Sequence, residues 1–113
     1  MDCLFCSIVD GKIPAHIVFE NELVLAFRDI HPQAPTHILV IPKKHIANLI
    51  EILPEDGPLM VEITQAIRSI AESENLHASG FRVVTNVGRD AGQTVFHLHF
   101  HLLGGRRLTW PPG

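Results

Sequence analysis

The chain has 113 residues, which fits one domain over residues 1–113 and leaves little room for a second. Nine Lys and Arg against twelve Asp and Glu give a formal charge of −3 and a pI near 6.2, which excludes the broad basic footprint of a protein that grips nucleic acid. No run approaches the roughly 18–20 apolar residues of a membrane span, and the acid at Asp2 with no small-residue cleavage site after it argues against a secretory leader.

In chain order, residues 12–16 (Lys12-Ile13-Pro14-Ala15-His16) read as a loop, because Pro14 interrupts any local turn. Ile17 to Glu20 predicts a short strand, Glu20-Asn21-Glu22 the polar turn of a hairpin, and Leu23 to Asp29 a second strand. Two prolines in His31-Pro32-Gln33-Ala34-Pro35-Thr36 forbid both helix and ladder. His37 to Ile41 is nearly continuous apolar sequence, as in a central buried strand, and Pro42 closes it.

Residues 44–51 predict a short helix. Pro54-Glu55-Asp56-Gly57-Pro58 reads as a turn, with Asp56 or Gly57 as N-cap and Pro58 in the first helical turn. Leu59, Ile63, Ala66, Ile67, Ile70 and Ala71 then recur at three and four, the stripe of an amphipathic helix ending near Asn75. Phe81 to Asn86 predicts a strand, Val87 to Thr94 a glycine-bearing loop, and Val95 to Leu103 a last strand ended by Gly104-Gly105. Hairpin-length links with one long helix inserted late predict an antiparallel α+β fold. Hydrophobic residues make up 46% of the chain and mean hydropathy is +0.20. So short a chain does not bury that much apolar surface well by itself, which predicts a self-association face.

The chemistry concentrates in His97-Leu98-His99-Phe100-His101-Leu102. On a strand, this alternation puts three imidazoles on one face about 7 Å apart and sends Leu98, Phe100 and Leu102 into the core. Two jobs suit such a row: binding a metal, or attack on phosphorus by one ring while its neighbours orient it and hold the oxygens. Metal ligation by all three is the weaker reading, since rings on alternate residues stand parallel and a tetrahedral site draws a ligand from another element. A lone histidine would more simply be an exposed one. Three in strict alternation beside Asn86, Gly88 and Gly92-Gln93-Thr94 are not, because glycines admit backbone N–H groups to a phosphate and Gln93 and Thr94 offer side-chain donors. Two cysteines spaced Cys3-x-x-Cys6 are too few to staple a secreted fold and predict a reducing, cytoplasmic location. No thioredoxin-like strand and helix surround them to make a redox pair.

These residues resemble the histidine triad superfamily, whose motif alternates three histidines with apolar residues, here His97-Leu98-His99-Phe100-His101-Leu102-Leu103. The likeness extends over Phe27-Arg28-Asp29-Ile30, Pro32 through His45, and the tail Gly104-Gly105-Arg106 with Trp110-Pro111-Pro112-Gly113, and so is similar to the Hint branch of nucleotide-binding purine phosphoramidases. The resemblance implies a five-stranded antiparallel sheet that dimerises into a continuous ten-stranded one. It implies hydrolysis of adenosine phosphoramidates and aminoacyl- or lysyl-adenylates with release of AMP, and no cofactor required for catalysis. By matching position, His99 would be the nucleophile that forms a nucleotidyl-histidine, His101 and Thr94 would contact phosphate and leaving group, and His97 and His37 would orient and tune His99. Asp29 would take the ribose hydroxyls, Asn86, Gly92 and Gln93 the phosphate, and Leu4, Phe5, Ile8, Phe27, Ile30 and Leu39 the purine. Local sequence alone reads Asp29 as a strand-ending turn residue and Leu4, Ile8, Phe27, Ile30 and Leu39 as ordinary core.

Two departures from the branch stand out. His31 replaces the usual Ser, and Cys3 with Cys6 matches bacterial relatives that hold zinc through two cysteines and two histidines, which would here be His45 and His97. Such a set suffices for a closed structural zinc site, whereas free cysteines otherwise serve as small buried hydrophobes. Three other functions fit the pattern: a non-catalytic AMP-binding scaffold, for which four histidines are a surplus; a dinucleoside polyphosphate hydrolase or a nucleotidyl transferase to sugar phosphates, against both of which the Gly104-Gly105-Arg106 and Trp110-Pro111-Pro112-Gly113 ending argues; and a purely structural zinc protein.

Overall fold

The computed structural model describes residues 3–113, so Met1 and the acid at Asp2 lie outside it. Five strands, β1 (Ile17–Glu20), β2 (Val24–Arg28), β3 (Thr36–Pro42), β4 (Phe81–Val84) and β5 (Phe100–Gly104), form one sheet in the order β1-β2-β3-β5-β4. Every neighbouring pair is antiparallel, as the hairpin-length links predict. Two helices accompany the sheet, α1 (Leu4–Val9) and α2 (Gly57–Ser73).

All seven residues of β3 are buried, because both faces of the sheet are covered. On one face Val24, Ala26, Ile38, Val40, Leu98 and Leu102 pack against Ile63, Ala66, Ile67 and Ile70 of α2. On the other, Leu25, Phe27, Leu39 and Ile41 pack with Cys3, Phe5 and Ile8 at the N-terminus. Alternation along each strand sorts these side chains, and burying each large one contributes roughly 1.5–3 kcal/mol.

The short helix is not where the sequence places it. Residues 44–51 yield only a 3-10 turn, Leu49–Glu51, capped by Asn48, while the short α-helix is α1, over a stretch with no helical signal. Six residues are too few for a periodic pattern, and the cap is a thiol: Cys3 Sγ accepts from the Cys6 N–H at 3.3 Å. Pro58 does sit in the first turn of α2. Asp56 stands at the N-cap position as expected, but its carboxylate makes no cap bond and accepts instead from Leu53 N and Lys44 Nζ.

The last strand is also shorter than predicted. Val95 to His99 is irregular, and only Phe100–Gly104 joins the ladder. The ladder stops because its polar groups are diverted: the Leu98 N–H donates to Ile46 O, the His99 carbonyl accepts from Thr85 Oγ1, and the Pro42 carbonyl accepts from the His97 ring. The two-residue alternation of faces survives, with Leu98 and Leu102 buried under α2 and Phe100 packed beside them.

Candidate active site

His99 is 7% exposed, and Phe5 of α1 stands edge-on to its ring with centroids 5.1 Å apart. Its Nδ1 lies 2.7 Å from the backbone carbonyl of His97. A carbonyl only accepts, so Nδ1 carries the proton and Nε2 holds a free lone pair, as a nucleophile requires.

A second chain of bonds sets the neighbouring rings. The Gln33 N–H donates to His37 Nδ1 at 3.0 Å, which leaves the proton of a neutral His37 on Nε2. That Nε2 lies 2.9 Å from His101 Nδ1, so His101 accepts there and carries its own proton on Nε2. The rings of His99 and His101 are 5.0 Å apart at 65°, not parallel as a flat strand would hold them. His37 thus touches His101 directly, and its reach to His99 runs through that ring.

Burial pushes His37 down from the ordinary imidazole value, with the Asp29 carboxylate opposing. Burial, then the charges His99 and His37 would carry, push His101 down to about 4. Both rings are therefore neutral near pH 7, the state that this tautomer chain needs.

Beside the histidines opens a cleft of about 600 Å³, within the range of a nucleotide-sized ligand. All six residues expected to wall a purine line it. Phe5, Ile8, Phe27 and Leu39 form its buried floor, while Leu4 and Ile30 stand at the rim, 47% and 86% exposed. The sequence reading missed Pro14 and Ala15, which also line it, because their segment carries only a loop signal. His31 lies at the same mouth.

Asp29 lines the cleft and serves the turn as well: Oδ1 accepts from the His31 N–H at 2.8 Å, while Oδ2 is 3.5 Å from His37 Nε2. Among the described residues, Asn86 and Thr94 make no side-chain hydrogen bond, and Thr94 faces the cleft. Gln93 differs from the expected phosphate donor. It is buried, its Nε2 donates to Ala47 O and Val95 O, and its Oε1 accepts from Gly88 N. With its backbone N–H also given to Gly88 O, Gln93 staples the loop from within. Gly92 makes the turn of that loop at φ +77°, where a side chain is disfavoured.

His97 faces away from the cleft. Its Nε2 donates to Pro42 O at 2.8 Å, leaving the Nδ1 lone pair toward Cys3, Cys6 and His45. From His97 Nδ1 the distances are 3.4 Å to Cys3 Sγ, 3.6 Å to Cys6 Sγ and 3.2 Å to His45 Nδ1, and Cys6 Sγ to His45 Nδ1 is 3.3 Å. A tetrahedral zinc with bonds of about 2.3 Å to sulfur and 2.0–2.1 Å to nitrogen requires S···N edges of about 3.5 Å and N···N edges of about 3.4 Å. The four donors match those edges, and the Pro42 bond orients His97 as a ligand-supporting carbonyl does. Burial and the adjoining Cys3 push the Cys6 thiol up to about 11, a bias that a cation offsets by taking the sulfur as thiolate. Asp29, His37 and His101 also lie close enough to share an ion, but the proton on His37 Nε2 occupies the position that a metal would need.

The antiparallel α+β fold thus sets the histidine cluster against Phe5 and Asp29, which line the apolar cleft. Residues 10–108 match the family model described as the HIT domain, and the chain belongs to that family. It is 54% identical over 112 residues to an uncharacterized HIT-like protein of Synechococcus elongatus, covering 99% of this chain and 97% of that one. Among solved structures, a HIT family hydrolase from Legionella pneumophila Philadelphia 1 is similar with a TM-score of 0.97 at 53% identity, covering 99% of this chain and all of that one. A histidine triad nucleotide-binding protein from Candida albicans gives a TM-score of 0.84 at 34% identity, covering 97% and 83%. No helix among the described residues is long and apolar enough to cross a membrane.

Proposed function

We propose that the chain is a hydrolase of purine nucleoside 5′-monophosphate derivatives, cleaving the P–N bond of adenosine phosphoramidates or the acyl-phosphate bond of aminoacyl- and lysyl-adenylates to release AMP. The observation that carries this reading is the tautomer of His99, whose Nδ1–H is committed to the His97 carbonyl at 2.7 Å and whose Nε2 is free. The naming of a relative as a hydrolase and of another as nucleotide-binding supports it.

His99 Nε2 attacks phosphorus, an N–P bond forms, and the bond to the leaving group breaks with its electron pair. A carboxylate leaves as it is, and an amine leaves after its nitrogen takes up a proton from solvent, which the later hydrolysis of the nucleotidyl-histidine by water returns. The imidazolium so formed keeps its Nδ1–H on the His97 carbonyl, a preorganised dipole that stabilises the new charge. His101 Nε2–H, Thr94 and Asn86 hold the phosphoryl oxygens, and Asp29 Oδ2 takes the ribose hydroxyls. The purine lies among Phe5, Ile8, Phe27 and Leu39. Water then cleaves the nucleotidyl-histidine, and no cofactor takes part in either step.

Cys3, Cys6, His45 and His97 would hold a structural zinc, which supplies a cross-link between the N-terminus and the triad segment. A homodimer also fits: β4 is a sheet edge whose Phe81 and Val83 are 41% and 40% exposed, and pairing two such edges makes a ten-stranded sheet. Sedimentation of the purified chain tests that state.

Steady-state hydrolysis of adenosine 5′-phosphoramidate by the wild type and by His99→Ala, with AMP binding in parallel, tests the central reading. The variant should lose several orders of magnitude in kcat and still bind AMP. Tight AMP binding without turnover by the wild type would favour the scaffold reading, and preference for a dinucleoside polyphosphate would favour the other branch.

A further inference from the structure

Arg106 follows β5 and reaches back to the loop between β2 and β3. Its Nε and Nη2 donate to the Gln33 carbonyl at 3.2 and 2.9 Å, while Nη1 donates to the Arg107 carbonyl at 2.9 Å and fixes the plane of the guanidinium. Gly105, at φ +89°, brings the main chain close against the same loop, where a Cβ would lie 2.9 Å from Pro35 Cβ. The loop needs such a hold. Gln33 sits between Pro32 and Pro35 outside any ladder, and its other tie is local, Nε2 to His31 O at 3.0 Å.

We infer that Arg106, seated by Gly105, is a positioning residue for the reaction: it holds Gln33 so that its N–H stays on His37 Nδ1. His37 then presents Nε2–H to His101, and His101 presents Nε2–H toward the substrate. The last step rests on the hydrolysis proposed above. The groups facing His37 are Asp29 from the end of β2, His101 from β5 and the Gln33 amide; the amide closes Nδ1 to a proton, and the Asp29 carboxylate 3.5 Å from Nε2 favours the same tautomer more weakly. Asp29 and His101 accept from either a neutral or a charged His37. With the amide displaced, His37 also populates Nδ1–H, which turns the His101 proton to Nδ1 and aims a lone pair at the phosphoryl oxygens. The guanidinium makes two bonds to one carbonyl, which a lysine cannot reproduce in full.

The test uses the full chain as wild type, Arg106→Met and Arg106→Lys, with nitrogen-15 spectra of the imidazoles, amide exchange of Gln33 and steady-state kinetics on adenosine 5′-phosphoramidate. In Arg106→Met, Gln33 exchange should accelerate and His37 Nδ1 should lose its single unprotonated signal. Displacing the His37–His101 pair should lower kcat about tenfold while KM stays within about twofold, and Arg106→Lys should recover part of the loss. Unchanged His37 and Gln33 signals would overturn the inference whatever the rate, since any loss would then be merely structural. Altered signals with kcat within about twofold of wild type would overturn it as well. A wild type inert toward the phosphoramidate would overturn the proposed hydrolysis alone, and the ring signals would still decide whether Arg106 sets His37.

Discussion

The backbone carbonyl of His97 accepts the Nδ1–H of His99 at 2.7 Å, while the ring of the same His97 points its Nδ1 at Cys3 Sγ, 3.4 Å away. One residue therefore links two sites. Its main chain sets the tautomer of His99, and its side chain belongs to the Cys/His cluster. Whatever fixes that ring also fixes the carbonyl that holds the His99 Nδ1–H.

Removal of metal should accordingly reach the cleft. The six-residue α1 is far too short to persist alone, and the cluster ties both its cap Cys3 and its Cys6 to the body of the chain. Purified protein should contain one zinc per chain. Chelation, or Cys6→Ser, should lower the melting temperature and weaken AMP binding about tenfold as Phe5 loses its place. Metal analysis with calorimetry checks this, and a metal-free protein of unchanged melting temperature and AMP affinity would refute it.

Phe5 packs edge-on against Phe27, His97 and His99, with centroids 5.4, 5.9 and 5.1 Å apart. Phe5→Ala should destabilise the fold by about 3–5 kcal/mol through the cavity it opens. AMP affinity should fall with it, whereas Leu4→Ala at the rim should leave stability within about 0.5 kcal/mol. Urea unfolding and AMP titration of the two variants separate floor from rim.

Acid should destabilise the protein in a defined window. His101 is held at about 4 in the fold against 6.5 ordinarily, and His37 is lowered too. Below pH 6.5 the unfolded chain takes up protons that the folded rings refuse. Stability is therefore complete above pH 6.5 and falls as pH drops toward 4, by up to about 1.4 kcal/mol per pH unit for His101. The Arg28–Glu74 and Lys44–Asp56 pairs act lower, because their carboxyls sit below the ordinary 4.5 and 3.8. Urea midpoints at pH 7.5, 6 and 5 should decline steadily, less so in His101→Asn. A flat profile would contradict the buried neutral pair.

Gln93→Leu tests the loop staple. The amide makes three hydrogen bonds, to Gly88, Ala47 and Val95, and leucine strands those backbone groups in the interior. The expected loss is about 3 kcal/mol, with weaker phosphate binding as a consequence of a loosened loop and not of a lost ligand contact. Full stability with a selective loss of AMP affinity would instead make Gln93 a direct contact.

Much of the fold and part of the site could be read locally. The stripe from Leu59 to Ala71, the apolar run of His37 to Ile41 and the two-residue alternation through His97, His99 and His101 each report a face, since period alone decides which side of an element a residue occupies. The six positions expected to wall a purine came from likeness to a family, and all of them line one cleft. Tertiary structure decided the rest. Which nitrogen carries the proton in His97 and His101 depends on partners distant in sequence, Pro42 for His97 and His37 for His101 across 64 residues, whereas Gln33 sets His37 and the His97 carbonyl sets His99 from close by. The meeting of Cys3, Cys6, His45 and His97, the folding of α1 over the cleft and the inward turn of Gln93 likewise join segments that no periodicity connects. Period reports the face of a residue, but its chemistry is set by the hydrogen-bond partner that the remainder of the chain brings to it.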